Sequence, residues 1–311
     1  MSRVLVAIGG NALITGQAGK ITSSQWEQSS ATAAGIIPLI RQGHQVLLTH
    51  GNGPQVGLSM QRAQLAINAG AHRLPALPLW TAVSESQGSI GTSLQLAMMS
   101  GLSHEGIDRE VITVITHCLV DRCDPAFASS DKPIGLPVPK TLAPRDWDTV
   151  PVAKGMVRRV VPSPEPKQVM EQSAISTLVG EQKIVIAGGG GGIPVIHQAG
   201  KYLPVDGVID KDQTSALIAT NTQVEILLLL TAVPQLYLNW GTAEEKPIKK
   251  TNCHELESWY KQGQFPPGTM GPKINAACRF LKNGGKRVVI TNIESMRAAF
   301  EGTAGTQITK E

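Results

Sequence analysis

The sequence predicts an α/β fold built on a mainly parallel sheet. Short runs of apolar, largely β-branched residues recur along the chain, and they are apolar nearly throughout rather than alternating with polar residues. Such runs are typical of strands buried on both faces of a parallel sheet. Helical patterns lie between them, and this alternation favours the α/β class. The predicted strands cover residues 4–8, 45–49, 111–116, 183–187, 225–231 and 287–291.

The predicted helices lie between these strands, and several of them end at a glycine, a common helix terminator, as at Gly70 and Gly101. The first begins with Ser24-Gln25-Trp26-Glu27, which has the pattern of a capping box, and it is expected to stop at Gly43. Pro38 lies inside this helix, so we expect a kink or an early break there. The helices are predicted over about 24–42, 54–69, 81–100, 167–179, 211–220, 254–262 and 273–283.

Length and composition exclude several classes of protein. The chain has 311 residues, 41% of them hydrophobic and 17% charged, which fits a soluble globular protein of one large domain or two lobes. A net charge of +4 without a Lys/Arg run predicts no nucleic-acid partner. The first apolar run is too short for a signal peptide or a membrane span. The four cysteines show neither a disulfide framework nor zinc spacing, so we expect a cytoplasmic protein without its own metal ligands.

The segment from Asp124 to about Pro166 interrupts the rhythm of strands and helices. It is rich in proline and turn residues, has little helical periodicity and is too long for a tight connection. Apolar residues nevertheless recur, and Val157–Val161 can pair as a strand. We therefore interpret residues 124–166 as a protruding subdomain or lid rather than as a disordered linker.

Glycine-rich turns follow three predicted strands. They are Gly9-Gly10-Asn11, Gly51-Asn52-Gly53 and the run Gly188–Gly192. Each alone could be a tight connection, but ligands of open α/β sheets bind beyond the carboxyl ends of the strands. Backbone N–H groups and helix N-termini at that edge can surround an anion. The three turns together therefore predict an anion site.

The five-glycine run could be a flexible linker or a wall of this site. The apolar residues on both sides of it, Ala187 and Ile193, favour the wall. We expect Gly190→Ala to impair phosphoryl transfer far more than stability, and Gly188→Ala to be tolerated.

Three lysines stand in unusual settings beside turns. Lys211 lies between Asp210 and Asp212 at a helix start, Lys132 lies at the root of the lid, and Lys273 lies in the first turn of a helix. At a helix start, as for Lys211 and Lys273, the helix dipole destabilises a cation unless an anion is near. Each lysine could be a solvated surface residue, but together they suggest phosphoryl transfer, which depends on positioning and charge neutralisation.

Two other nucleotide-binding classes are disfavoured. The chain has no GxxxxGK[ST] motif, which excludes a P-loop protein. "GNGPQVG" only approximates GxGxxG, and no acidic residue follows at the required distance, so a dinucleotide-dependent dehydrogenase is a poor alternative.

Motifs along essentially the whole chain resemble those of carbamate kinases, within the amino acid kinase family. They occur in the same order and read AIGGNAL, THGNGPQVG, ESQGSIG, KPIG, RRVVPSP, GGGGIPV, VIDKD, MGPKI and GTAGTQI. The resemblance implies one amino acid kinase-like domain over residues 1–311, a three-layer αβα sandwich with a small protruding subdomain, assembled as a homodimer. It also implies reversible conversion of carbamoyl phosphate and Mg-ADP into carbamate and ATP, in the ATP-forming direction of arginine catabolism.

The resemblance further implies roles for individual residues. The N-terminal half would hold carbamate or carbamoyl phosphate, residues 180–311 would hold ATP or ADP, and Mg²⁺ would be bound mainly through the nucleotide phosphates. The implied catalytic residues are Lys132, Asp210, Lys211 and Lys273. The implied substrate-binding residues are Gly9, Gly10, Asn11, Gly51, Asn52 and Gly53. The implied nucleotide-binding residues are Gly190, Gly191, Thr231, Ala232, Val233, Met270 and Lys273.

The chain departs from the family pattern at two places. Ala232-Val233-Pro234 replaces an acidic turn near the nucleotide, and Lys154–Val157 replaces a Gly-Arg-Gly-aromatic sequence before Arg158 and Arg159. Ala7 stands where related acylphosphate-forming kinases have a lysine, as it does in carbamate kinases. The departures leave two alternatives open: a kinase of the same fold with another small carboxylate or carbamate-like substrate, or a weakly active regulatory paralogue.

Overall fold

The computed structural model describes residues 1–9, 21–70, 74–266 and 270–311, with only the backbone described for residues 21–24. Its helices are α1 (Ile21–Arg41), α2 (Gly53–Asn68), α3 (Leu79–His104), α4 (Gln172–Gly180), α5 (Lys211–Asn221), α6 (Cys253–Lys261), α7 (Gly271–Lys282) and α8 (Met296–Phe300).

The strands up to residue 169 are β1 (Arg3–Ile8), β2 (Gln45–His50), β3 (Val111–Thr113), β4 (His117–Leu119), β5 (Lys132–Pro133), β6 (Val138–Pro139), β7 (Thr149–Ala153), β8 (Met156–Val161) and β9 (Gln168–Val169). The remaining strands are β10 (Ile184–Ile186), β11 (Ile193–Gln198), β12 (Lys201–Pro204), β13 (Ile226–Leu230), β14 (Leu236–Leu238), β15 (Lys246–Ile248), β16 (Lys250–Asn252), β17 (Arg287–Thr291) and β18 (Thr306–Thr309).

The main sheet contains eight strands in the order β16-β18-β17-β13-β1-β2-β10-β3. All its pairings are parallel except that between β17 and β18. Strand β1 lies inside the sheet, where Val6 is in register with Leu48 of β2 and with Leu228 of β13. The predicted α/β class with a mainly parallel sheet is confirmed.

The sheet separates two apolar cores, which makes the molecule a three-layer αβα sandwich. On β1, Leu5 and Ala7 point into the core shared with α4, α5, α6 and α7. Val4, Val6 and Ile8 point into the core shared with α1, α3 and α8. Because alternate residues face opposite sides and both sides are covered, nearly every residue of the strand is apolar.

Residues 132–161 form a separate antiparallel sheet in which β8 pairs with β5, β6 and β7. This sheet lies inside the predicted subdomain 124–166. It meets the main body at α2, where the Gly135 N–H donates a hydrogen bond to the Gly53 carbonyl at 2.9 Å. Gly57 packs so closely on Gly135 that a Cβ added to Gly57 would lie 1.9 Å from the Gly135 Cα. Closure of this sheet over the site remains a prediction.

Three local predictions about helices were wrong. Pro38 does not end α1 early, because its neighbours Ile37 and Leu39 are held in the core and the helix continues to Arg41; the expected kink stays a prediction. Gly101 does not end α3; it lies inside the helix and lets Ile37 approach, since a Cβ there would be 2.0 Å from Ile37 Cδ1. Helix α4 begins only at Gln172, because the preceding β9 pairs with β4.

In the described ranges, no helix combines the length and the apolar character needed to cross a membrane.

Candidate active site

A cavity of about 230 Å³ lies at the carboxyl ends of the central strands, between the main sheet and the subdomain sheet. The glycine turn after β2, the start of α5, the turn after β13 and the start of α7 all contribute to it. Its lining includes Gly9, Gly51, Asn52, Gly53, Lys132, Arg158, Gly190, Asp210, Lys211, Asp212, Thr231, Ala232, Met270 and Lys273.

The turn after β2 presents the open end of α2 to the cavity. Asn52 precedes the helix and its side chain makes no capping bond; the amide Nδ2 instead donates to Ser86 Oγ at 2.8 Å. Gly53 and Pro54 form the first helical positions, and the N–H groups of a first turn have no partner within the helix. These donors, with the positive end of the helix dipole, suit an anion.

The glycine run after β10 packs directly against this turn. Gly188 and Gly190 have φ of 61° and 62°, in the left-handed region, and Gly189–Gly191 form a short 3₁₀ turn. A Cβ on Gly190 would lie 2.0 Å from Asn52 Nδ2. Gly190 therefore must lack a side chain because it contacts Asn52. All five glycines of the run are buried, which agrees with the predicted wall of the site and not with a flexible linker.

The glycine run is anchored by a buried amide on α3. The Gln87 side chain binds the Thr116 backbone twice: it accepts from Thr116 N at 2.8 Å and donates to Thr116 O at 3.0 Å. Thr116 Oγ1 in turn accepts from the Gly188 N–H at 2.9 Å. This chain of hydrogen bonds fixes where the glycine run begins.

Asp210 connects the subdomain to the start of α5. It caps that helix by accepting from Asp212 N at 2.9 Å, and its other carboxylate oxygen accepts a hydrogen bond from the Lys132 ammonium group. Lys132 comes from β5, so this ion pair links the subdomain sheet to the start of α5. Within the described residues Asp210 thus pairs with Lys132 rather than with the adjacent Lys211.

Asp212 is a site residue that the sequence analysis did not assign. One carboxylate oxygen accepts from Lys211, and the other accepts from Lys273 Nζ at 2.8 Å. All three side chains are buried. The signal was present in "VIDKD", but an acidic residue in a first helical turn also serves as ordinary capping. Only the tertiary structure brings Lys273 of α7 to it.

The buried cluster shifts the pKa of each of its members. Burial raises the pKa of Asp212, but Lys211 and Lys273 outweigh burial and hold it well below its usual range. Burial, together with the charge of Lys273, lowers the pKa of Lys211 to about 8. Burial also acts to lower the pKa of Lys273, but Asp212 overcomes it and the net shift is upward. Lys211 is therefore the cation whose charge is most sensitive to pH.

His50 is buried beneath the site and is uncharged. Burial lowers its pKa to about 4, and Nδ1 lies 3.2 Å from the Gly51 carbonyl. Since a carbonyl only accepts, Nδ1 carries the proton. The ring packs against Gly189, where an added Cβ would lie 2.7 Å from Nε2. His50 thus joins two glycine turns without adding charge.

The structure brings most of the predicted site residues together. Gly10 and Asn11 lie outside the described residues. The described residues that line the cavity do not include Gly191 or Val233; Gly191 packs against Ile209, and Val233 lies half-buried in the turn after β13. Arg158 lines the cavity although the sequence analysis gave it no role.

Fold and site together define a phosphotransferase class: an αβα sandwich with glycine turns and buried lysines at the carboxyl edge of a parallel sheet. The model of the amino acid kinase family matches residues 2–292, and the chain belongs to this family. It is 42% identical over 315 residues to a carbamate kinase of Pyrococcus horikoshii, covering 99% of both chains. It is 40% identical over 314 residues to the carbamate kinase-like protein YahI of Escherichia coli, covering 99% of this chain and 98% of that protein.

Solved structures of the Giardia lamblia carbamate kinase share the fold. The form bound to citric acid matches with a TM-score of 0.91 at 31% identity, covering 100% of this chain and 99% of the other. The form bound to AMP-PNP matches with a TM-score of 0.89 at 32% identity and the same coverage. The predicted resemblance to carbamate kinases is confirmed.

Proposed function

We propose that this protein catalyses the carbamate kinase reaction, the reversible transfer of a phosphoryl group between carbamoyl phosphate and ADP. The observation that carries the proposal is the buried cluster of Lys211, Asp212 and Lys273 beside two glycine turns. Full-length likeness to carbamate kinases at about 40% identity supports it. ATP formation is proposed as the working direction, and arginine catabolism as the setting.

The two ends of the cavity suit the two substrates. We assign the end at Gly51–Gly53 and Lys132 to the carbamoyl group, and the end at Thr231, Ala232 and Met270 to the nucleotide. The Giardia carbamate kinase has been solved with AMP-PNP, an ATP analogue, which supports a nucleotide site in this fold. Lys211 and Lys273, between the two ends, would contact the transferred phosphoryl group and the nucleotide phosphates.

The charge of the cavity suits phosphoryl transfer. Its described lining contains four cations, Lys132, Arg158, Lys211 and Lys273, against the carboxylates Asp210 and Asp212. Catalysis of phosphoryl transfer consists mainly of aligning the attacking and leaving oxygens and neutralising charge. Asp212 would hold Lys211 and Lys273 in place so that little reorganisation accompanies transfer.

Magnesium fits this site as a companion of the nucleotide. Both carboxylates of the cavity already accept hydrogen bonds from lysines, and the described residues contain no cluster of metal-ligating side chains. Mg²⁺ is commonly bound through substrate phosphates and water. When bound, it would neutralise phosphate charge, and Asp210 and Asp212 would keep the lysines oriented.

A coupled assay tests the proposal directly. Folded protein with Mg²⁺, ADP and carbamoyl phosphate should produce ATP, detected through hexokinase and glucose-6-phosphate dehydrogenase. Acetyl phosphate, supplied in parallel, tests the alternative of another small acyl phosphate. Absence of ATP formation with carbamoyl phosphate would exclude the proposed reaction, and a regulatory paralogue would bind ADP without turnover.

Two further properties extend the proposal. We place the protein in the cytoplasm, where four free thiols would stay reduced; Cys118, Cys253 and Cys278 are buried and Cys123 is exposed. We also propose a homodimer, as the resemblance implies. Sedimentation equilibrium tests the homodimer, and subcellular fractionation tests the location.

A further inference from the structure

Arg158 is a half-buried cation of the cavity that has no counter-ion among the described residues. It lies on β8 of the subdomain sheet and lines the cavity. Within the described ranges, only Nε of its guanidinium group donates a hydrogen bond, to the Ile134 carbonyl at 3.4 Å, which is long. In the described part of the chain, no carboxylate lies within ion-pairing distance of it. Both terminal nitrogens of its guanidinium group are therefore free to bind a ligand.

The other cations of the cavity are already neutralised. Lys132 pairs with Asp210, and both Lys211 and Lys273 pair with Asp212. A half-buried guanidinium without such a partner is costly, and burial lowers the pKa of Arg158. An anionic ligand that pairs with the Arg158 guanidinium would offset this cost.

The position of Arg158 identifies which substrate it faces. Ile134, which accepts its hydrogen bond, follows Pro133, and the Pro133 carbonyl lies 3.5 Å from the Cβ position of Gly53. The next residue, Gly135, donates to the Gly53 carbonyl. Arg158 thus belongs to the Gly51–Gly53 end of the cavity.

We propose that Arg158 binds the anionic group of the carbamoyl substrate: the carboxylate of carbamate in one direction and the acyl-phosphate oxygens in the other. This inference rests on the proposed function and adds a binding residue to it. The planar guanidinium group donates two parallel hydrogen bonds to a carboxylate or phosphate, which lysine does not reproduce. Arg158 would therefore help to select a small planar substrate whose carboxylate or acyl-phosphate oxygens reach this end of the cavity.

Arg159 provides a matched control on the same strand. Neighbouring residues of a strand point to opposite faces. The Arg159 guanidinium lies 4.9 Å from the ring centre of Trp147, in a cation–π contact outside the cavity. It has acidic residues near it, Asp146, Asp148 and Asp206. Replacing it removes an arginine from the subdomain without removing one from the cavity.

Steady-state kinetics in the ATP-forming direction test the proposal. For Arg158→Met we expect the KM for carbamoyl phosphate to rise about 10- to 100-fold, as for loss of charge-assisted hydrogen bonds, and the KM for ADP to change less than about twofold. The KM of Arg158→Lys for carbamoyl phosphate should lie between those of the wild type and Arg158→Met. Arg159→Met should have the KM values of the wild type. Guanidinium ion at millimolar concentration should partly restore the low KM of Arg158→Ala.

Other outcomes would overturn the proposal. Equal KM increases for both substrates would show that Arg158 acts through the nucleotide or the fold, and an Arg158→Met variant equal to Arg159→Met would remove its role. If Arg158→Met does not fold, a KM for carbamoyl phosphate unchanged in Arg158→Lys would overturn it. If the wild type itself forms no ATP, the proposed function fails. Thermal protection of the wild type by carbamoyl phosphate, lost in Arg158→Met, would then still support the binding role.

Discussion

Lys273 donates a hydrogen bond to Asp212 across 2.8 Å, and this contact ties the first turn of α7 to the first turn of α5. Lys211 shares the same carboxylate. Two lysines that would repel each other at two helix N-termini are thus held together by one buried anion. The site consequently has its positive charge in position before an anionic substrate arrives, and five variants probe this arrangement and the glycine run beside it.

Asp212→Asn should damage both stability and activity. The substitution leaves two buried ammonium groups without their anion, and breaking a buried ion pair on one side costs about 3–5 kcal/mol. We expect a clearly lower thermal midpoint and at least a hundredfold lower kcat/KM for ADP. Asp108→Asn, which removes an exposed carboxylate, is the control. A variant with wild-type stability would mean that Asp212 does not neutralise the lysines.

Lys211→Ala should abolish turnover while the protein stays folded. Asp212 keeps its ion pair with Lys273, so no buried charge is left unpaired. The variant should lose about a thousandfold in kcat, the order expected for a phosphate-stabilising cation, with a cooperative thermal transition like that of the wild type. Lys261→Ala changes an exposed lysine and is the control. Near-normal activity of Lys211→Ala would refute the catalytic assignment.

The pH dependence of kcat/KM should report the charge of Lys211. Its pKa is lowered to about 8, so the free enzyme holds the cation below that pH and loses it as pH rises. We expect kcat/KM for ADP to decline as pH rises through about 8. A bound anion favours the protonated lysine, so kcat should begin to decline at a higher pH than kcat/KM does.

Lys211→Arg separates this effect from other titrations. Arginine stays protonated over the whole range. Whatever activity the variant retains should therefore lack the decline near pH 8. If the decline persists unchanged, another group causes it.

Alanine at the glycine run should be destabilising at both tested positions. The sequence analysis expected Gly188→Ala to be tolerated, but Gly188 has φ of 61° and a Cβ there would lie 2.9 Å from Ile218 Cδ1, so this expectation was wrong. For Gly190→Ala the sequence predicted a loss of phosphoryl transfer far larger than the loss of stability. Gly190 has φ of 62° and an added Cβ would lie 2.0 Å from Asn52 Nδ2, so the variant should lose stability as well and, by displacing Asn52, lower kcat further. Gly180→Ala, at an open helix end without a left-handed backbone, should cost no stability. Thermal midpoints and kcat of the three variants check this order.

Much of the fold could be predicted because its strands carry their own signal. Buried parallel strands such as β1 and β13 are apolar on both faces, which no loop or surface helix imitates. The edge strand β16 and its neighbour β18 were missed, since "KTN" and "TQIT" have no such pattern. They become strands by pairing, β16 with β18 and β18 also with β17. The helix ends predicted at Pro38 and Gly101 were wrong because core packing outweighs the preferences of single residues.

The site, like the fold, could be predicted from the sequence only in part. The sequence was enough to predict that Lys132, Lys211 and Lys273 stand beside turns at one edge of a parallel sheet, because the segments that follow parallel strands all begin at the carboxyl ends of those strands. Their partners became apparent only in the folded structure: Asp210 pairs with Lys132, Asp212 pairs with the other two lysines, and Arg158 has no ion-pair partner among the described residues. Partner choice depends on distances of a few ångströms between segments far apart in the chain, and spacing along a sequence contains no such information.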